Sequence, residues 1–172
     1  MPVFTPIPHD RFLTDVVALA EALRADDGWT PSFLIGVGRG GLVPAVYLSH
    51  ALGLPMLSVD LSSKQTDFAD APLVRLANRT AKGERLLFVD DINDTGSTIG
   101  KLRAALAQAG GIRDHVRFAT LLDNIRSQQR VEYRAREIDR EMTKDWFVFP
   151  WEAVAPSESI AQDAAEVPER TR

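Results

Sequence analysis

Three short runs decide what this chain can fold into: FLIGV at 33–37, RLLFV at 85–89 and the stretch at 116–122. Each is brief and dominated by apolar residues, which is the pattern of a strand buried on both faces. Strands of that kind lie inside a sheet whose two sides are covered, and the chain between them supplies the cover. At 11–25, Phe12, Val16, Leu19 and Leu23 recur at helical spacing, with Asp15, Glu21 and Arg24 turned elsewhere. LVPAVYLSHAL at 42–52 is helical again, Gly53 and Pro55 supply its stop, and 56–61 reads as another strand. Ile99, Leu102, Leu106 and Ala109 form one face of a helix that Gly110 and Gly111 end.

Alternating strands and helices of this kind imply an α/β domain with a mostly parallel, twisted sheet flanked by helices. VEYRAR at 131–136 alternates apolar and charged residues and reads as an edge or half-exposed strand. DWFVFPWE at 145–152 is a last short aromatic segment. Two stretches lack such order. The 62–82 stretch, with small and polar residues and one proline, is expected to be a long excursion with a mobile tip, and 153–172 is expected to be a flexible tail. With 172 residues, one domain over 1–152 is the working organisation.

Charge narrows the partners. A formal net charge of −4 argues against general affinity for nucleic acid or an anionic membrane. The arginines at 126, 130, 134, 136 and 140 hint at a basic patch, but Asp123, Glu132, Glu137, Asp139 and Glu141 interleave with them, as on a solvated face. The chain has no cysteine, so thiolate chemistry is excluded. With no signal-peptide pattern at the N-terminus and no apolar stretch of membrane-spanning length, a cytoplasmic protein is expected. His9, His50 and His115 share no metal-ligand spacing.

The chemistry gathers where two apolar runs end. LLFV leads straight into DDINDTGST at 90–98, and a pair of aspartates at the end of a buried strand is costly unless hydroxyls, a metal or backbone donors meet it. DTGST at 94–98 joins strand to helix, so the unpaired amides of the helix start favour an anion. Gly96 permits close backbone approach, and Thr95, Ser97 and Thr98 add hydroxyls, which together suit a phosphomonoester. No lysine follows in the pattern of a nucleoside-triphosphate loop. Asp90 and Asp91 would repel a second phosphate but would accept from the vicinal hydroxyls of a sugar, so a ribose 5-phosphate satisfies both halves. GRGG at 38–41, after the first apolar run, reads as a turn opening onto the same cleft, because sheets of this class bind ligands beyond the carboxyl ends of their strands.

Taken together, VDDINDTGST closely resembles the phosphoribosyl-diphosphate signature of the type I phosphoribosyltransferases. IGVGRGGLVPA resembles the same family's pyrophosphate loop, and DWFVFPWE its base-binding segment, closest to the bacterial xanthine-guanine and hypoxanthine branch. The resemblance spans about residues 12–152, with three motifs in order. It implies a small base-binding hood built from the chain ends, transfer of ribose 5-phosphate from phosphoribosyl diphosphate to a nitrogenous base of purine type, release of pyrophosphate, dependence on Mg2+, and a homo-oligomer, either dimer or tetramer.

Position by position, the resemblance makes Asp90 and Asp91 the ribose contacts and the magnesium ligands, directly or through water. Asp94, Thr95, Gly96, Ser97 and Thr98 hold the 5-phosphate. Asp94 is also the catalytic group near N7 of the base. Gly38, Arg39, Gly40 and Gly41 hold pyrophosphate, and the peptide entering Arg39 is often cis in the family. The stretch 62–70 takes the flexible-loop position, with Lys64 either a phosphate contact or a solvated lysine; the family's Ser-Tyr pair is here Ser62-Ser63. Trp146 is either the stacking partner of the base or a core tryptophan. Asn124 stands where relatives place a lysine that donates to a 6-oxo group. That departure leaves two alternatives open: a phosphoribosyltransferase for a different base, or a regulatory protein of this fold that binds nucleotides or phosphoribosyl diphosphate without turnover.

Overall fold

The computed structural model describes residues 3–60 and 70–166. Its main sheet has five strands, all parallel, in the order β3-β2-β4-β5-β6: β2 at Phe33–Val37, β3 at Met56–Val59, β4 at Leu86–Asn93, β5 at Val116–Asn124 and β6 at Tyr133–Ile138. A separate parallel pair joins β1 (Phe4–Pro6) to β7 (Trp146–Val148), so the two ends of the domain meet beside the sheet. That pair is the hood expected from the sequence. Helices α1 (His9–Ala25), α2 (Gly38–Leu52), α3 (Asp70–Ala81), α4 (Ser97–Gln108) and α5 (Ser157–Glu166) complete the described residues, with 3₁₀ turns at Arg113–His115 and Pro150–Glu152.

The central strands are apolar throughout because successive side chains go to opposite covered faces. Leu34, Leu87 and Val89 pack on one side with Phe12, Val16 and Leu19 of α1 and Leu48 of α2. Ile35, Leu86 and Phe88 pack on the other with Leu73 and Leu76 of α3 and Ile99, Leu102 and Leu106 of α4. Each such side chain contributes roughly 1.5–3 kcal/mol of transfer free energy.

Five sequence expectations change. The excursion expected over 62–82 is a helix from Asp70 onward; its first residues, with Lys64, lie outside the described ones. Leu73, Leu76, Ala77 and Thr80 are its buried stripe, and Thr80, a polar member of that stripe, is satisfied by donating to the Ala77 carbonyl and accepting from Ile112 N–H. The tail expected to be flexible carries α5, which buries Ala164. GRGG is not a turn ahead of a helix but the first turn of α2 itself, with Gly38 at φ 53°. The described residues contain no cis peptide bond, so the link into Arg39 is trans.

The strand expected to end at Val89 continues through Asp90, Asp91 and Ile92 to Asn93. This last change positions the site. Its partner β5 is long enough to pair with it, Asp90 lying opposite Thr120 and Asn93 opposite Asp123. On the other flank β2 pairs only as far as Gly36 with Val89. Residues 90–93 therefore have one free edge, and the start of α2 fills the space beside it.

Candidate active site

Two helix starts and one acidic strand end meet at the same end of the sheet. The close approach of α2 to β4 depends on two missing side chains: a Cβ at Gly40 would fall on the Asp91 carboxylate, and one at Gly41 on the Val89 carbonyl. The amides of Gly38–Gly41 belong to the first turn of α2, where N–H groups have no intrahelical acceptor, so they form a natural anion cradle. A second cradle opens at α4. Gly96 caps that helix at φ 89°, a value that favours glycine, and Thr95 Oγ1 accepts from Ser97 N–H at 3.3 Å. Ser97 and Thr98 are exposed, with hydroxyls available to a ligand.

Between the cradles lie Asp90 and Asp91, both half-buried. Burial holds the Asp90 carboxyl well above the ordinary carboxylate range, and the neighbouring Asp91 charge adds to the shift. Burial also pushes Asp91 up to about 6, with Glu152 as the next cause. Glu152 is itself raised, first by burial, while Arg39 opposes the shift. Each of these groups would be relieved by a cation or by hydroxyl donors. Asp90 Oδ1 accepts from Asp91 N–H at 3.0 Å and Asp91 Oδ1 from Ile92 N–H at 2.7 Å, which fixes both carboxylates against the strand.

Asp94 is buried and does not project freely. Arg140 donates to both its oxygens, from Nε at 3.1 Å to each and from Nη2 at 2.8 Å to Oδ2. The guanidinium is in turn held by the carbonyl of Asp145 at 2.6 Å and lies over the Phe147 ring, 5.3 Å from its centroid. A cavity of about 170 Å³ adjoins this pair, lined by Asp91, Ile92, Asp94, Arg140, Trp146, Phe147, Phe149 and Glu152. The hood thus brings Trp146 to the same cavity as Asp94.

The sequence matches the phosphoribosyl transferase domain family over residues 8–157. The chain belongs to that family. It is 28% identical over 149 residues to the xanthine-guanine phosphoribosyltransferase of Nitratidesulfovibrio vulgaris, covering 86% of this chain and 84% of that one. Among solved structures it resembles a purine phosphoribosyltransferase from Pyrococcus horikoshii, with a TM-score of 0.64, 28% identity and coverage of 89% and 97% of the two chains. A hypothetical protein from Neisseria gonorrhoeae with bound ppGpp shares the fold, with a TM-score of 0.69, 21% identity and coverage of 96% and 98%.

In this phosphoribosyltransferase-family chain, two residues sit differently from what the sequence suggests. Asn124 does not line the cavity: its Nδ2 donates to the Asp94 carbonyl at 3.0 Å and its Oδ1 accepts from Arg126 and Arg140 N–H at 3.2 and 3.3 Å. It ties the loop at Asp94 to the backbone at Arg126 and Arg140. Arg140, read from the sequence as part of a solvated basic face, is 8% exposed and lines the cavity. The neighbouring charges hid it. Arg126 does pair with Asp139 and Glu141, and Arg134 with Glu137, but Arg136 reaches buried Asp15 and Arg140 reaches Asp94.

Magnesium is tested by the donor set. No group of three or more His, Cys, Asp or Glu among the described residues is placed to hold a metal. Magnesium needs fewer, since it is commonly held by one or two carboxylates plus substrate oxygens and water. The adjacent, raised carboxyls of Asp90 and Asp91 fit that role. No helix among the described residues is long and apolar enough to cross a membrane.

Proposed function

We propose that this phosphoribosyltransferase moves ribose 5-phosphate from phosphoribosyl diphosphate to a purine base, forming a nucleoside monophosphate and pyrophosphate. The observation that carries the reading is the placement of two anion-cradling helix starts on either side of Asp90 and Asp91, with Trp146 and Asp94 around one adjoining cavity. The spacing of charges in phosphoribosyl diphosphate has the same order: a monophosphate, a neutral ribose, then a diphosphate.

In this reading Thr95, Gly96, Ser97 and Thr98 hold the 5-phosphate, Asp90 and Asp91 accept from the ribose hydroxyls, and Gly38, Arg39, Gly40 and Gly41 hold the leaving diphosphate. Bound magnesium would supply positive charge to the leaving group. Departure of the diphosphate leaves a cationic ribose, which nearby carboxylates stabilise. Trp146 offers an indole face to the base. Asp94 takes up the proton or positive charge at N7 as N9 attacks. Arg140, with its guanidinium held to both Asp94 oxygens and to the Asp145 carbonyl, orients Asp94 beside that cavity.

The test is a screen of hypoxanthine, guanine, xanthine, adenine, uracil and orotate with phosphoribosyl diphosphate and magnesium, reading pyrophosphate release. Turnover with a 6-oxopurine supports the reading, and turnover only with a non-purine base retains the transferase while changing the substrate. Binding of phosphoribosyl diphosphate without turnover on any base favours the second reading, a regulatory binder. The engagement of both Asp94 oxygens by Arg140 is what speaks for it.

A further inference from the structure

Asn93 ends β4 inside the acidic run, and its side chain is 2% exposed. Both ends of its amide are in use. Nδ2 donates to Asp123 Oδ1 at 2.7 Å and to the Gln129 carbonyl at 2.8 Å, while Oδ1 accepts from Ser127 Oγ at 3.0 Å. A carbonyl can only accept, so the Nδ2 side must face Gln129 and the amide has one orientation. Ser127 Oγ accepts in turn from Gln129 N–H at 3.3 Å. Asn93 and Asp123 are register partners on β4 and β5, so the end of the sheet grips the 127–129 segment through one buried side chain.

That segment lies directly against the loop that opens α4. Gln128 N–H donates to the Thr95 carbonyl at 3.1 Å. A Cβ at Gly96 would stand 2.7 Å from Gln129 N and 2.9 Å from Ser127 Oγ, so no side chain fits between loop and segment. Arg103 of α4 fastens the segment further along, from Nη1 to Gln129 Oε1 and from Nη2 to the Arg130 carbonyl, each at 2.8 Å. In a trans peptide the C=O and the next N–H point in opposite directions. With the Thr95 carbonyl held by Gln128, the Gly96 N–H is therefore turned away from the segment. Glycine lets such a peptide rotate at little cost, and a rotated peptide would present its carbonyl dipole where the N–H now points, against an anion.

We propose that Asn93 and Ser127 are positioning residues of the 5-phosphate cradle, holding the 127–129 segment so that the Thr95–Gly96 peptide keeps its N–H toward the phosphate. The inference rests on the reading that residues 95–98 hold the 5-phosphate. It gives a role to a side chain of the acidic run that neither the ribose contacts nor the phosphate hydroxyls employ.

Calorimetric titration of the intact protein with ribose 5-phosphate, and separately with inorganic pyrophosphate and magnesium, tests it in Asn93→Leu and Ser127→Ala. Ribose 5-phosphate affinity should fall by at least about fivefold in both, the scale of one charge-assisted hydrogen bond, while pyrophosphate affinity stays within about twofold of the parent. A general loss of structure would lower both ligands together. Asn93→Leu strands the buried Asp123 carboxyl, so where that variant fails to fold, Ser127→Ala at a half-buried position decides alone. Ser127→Thr, which restores a hydroxyl, should recover part of the affinity. Undiminished ribose 5-phosphate binding in Ser127→Ala, or equal losses for the two ligands, overturns the proposal. Ser97→Ala/Thr98→Ala separates it from the reading beneath it. If that double variant loses ribose 5-phosphate and Ser127→Ala does not, the cradle stands and the positioning role falls; if the double variant binds as the parent does, both fall.

Discussion

At the scale of single residues, the pairing of Asp94 with Arg140 changes what each can do. Both are almost fully buried, and the bidentate geometry leaves the carboxylate oriented rather than free to rotate. Asp94→Asn removes the charge at nearly the same volume and leaves the buried Arg140 unpaired, so it should also lose stability and its turnover is read on the folded fraction. Turnover should fall by about 10²–10⁴-fold while affinity for phosphoribosyl diphosphate changes little, because the charge matters most when the base loses its proton and the ribose becomes cationic. Single-turnover rates beside equilibrium binding separate the two, and unchanged turnover would remove Asp94 from the chemistry. Arg140→Met should destabilise the fold, on the order of 3–5 kcal/mol in urea unfolding, because it strands a buried carboxylate. Adding Asp94→Asn to Arg140→Met should restore part of that loss, since the stranded charge is then gone. The sequence disclosed Asp94 because it sits in a motif with a local chemical meaning. It did not disclose Arg140, which is 46 residues away from its partner and flanked by acids that suggest solvent.

Elements were legible wherever one face or one run carried the signal. The buried strands β2, β4 and β5 and the stripes of α1 and α4 followed from apolar spacing alone. Where the signal was broken by a polar residue with a private partner, it failed: Thr80 interrupts the stripe of α3, and α5 buries too little to announce itself. The extent of β4 past Val89 was also hidden, because only the length of β5 shows that two adjacent aspartates can stay in register. The glycines of α2 were read as a turn that holds pyrophosphate, and Gly40 and Gly41 also let α2 lie against β4. Gly41→Ala would press a methyl onto the Val89 carbonyl and force α2 away from β4. Overpacking of this kind costs about 1–3 kcal/mol, and the separation of the two elements should also weaken pyrophosphate binding. Thermal unfolding and pyrophosphate titration check the two effects, and a variant with native stability and affinity would show that the contact is not required.

Across the whole molecule, one tie joins three distant parts of the chain. Tyr133 at the start of β6 donates its hydroxyl to Asp26 Oδ2 at 2.8 Å, and Arg117 of β5 donates from Nη1 to both Asp26 Oδ2 and Tyr133 Oη at 2.6 Å. The tie fastens the end of α1 to β5 and β6. Its pH dependence is set by opposite shifts in two acids. The Tyr133 hydrogen bond, with Arg117 next, holds the Asp26 carboxyl below its ordinary value, so its contribution is present above the unfolded pKa and is lost as pH falls through the folded one. Burial, with the bond to Asp26 next, pushes Tyr133 up to about 12. The unfolded chain releases that proton near pH 10, so above pH 10 the native state binds more protons and stability falls as pH rises. The Tyr133 contribution is therefore whole below pH 10 and gone beyond about 12. The protein has two tyrosines, and tyrosinate absorbance should show a late phase that Tyr133→Phe abolishes. Tyr133→Phe should also be less stable than the parent at neutral pH, with the gap in urea midpoint closing as pH climbs through that window. A gap that stays constant to the top of the range would mean that the hydroxyl acts through packing alone, and that the tie to Asp26 contributes nothing.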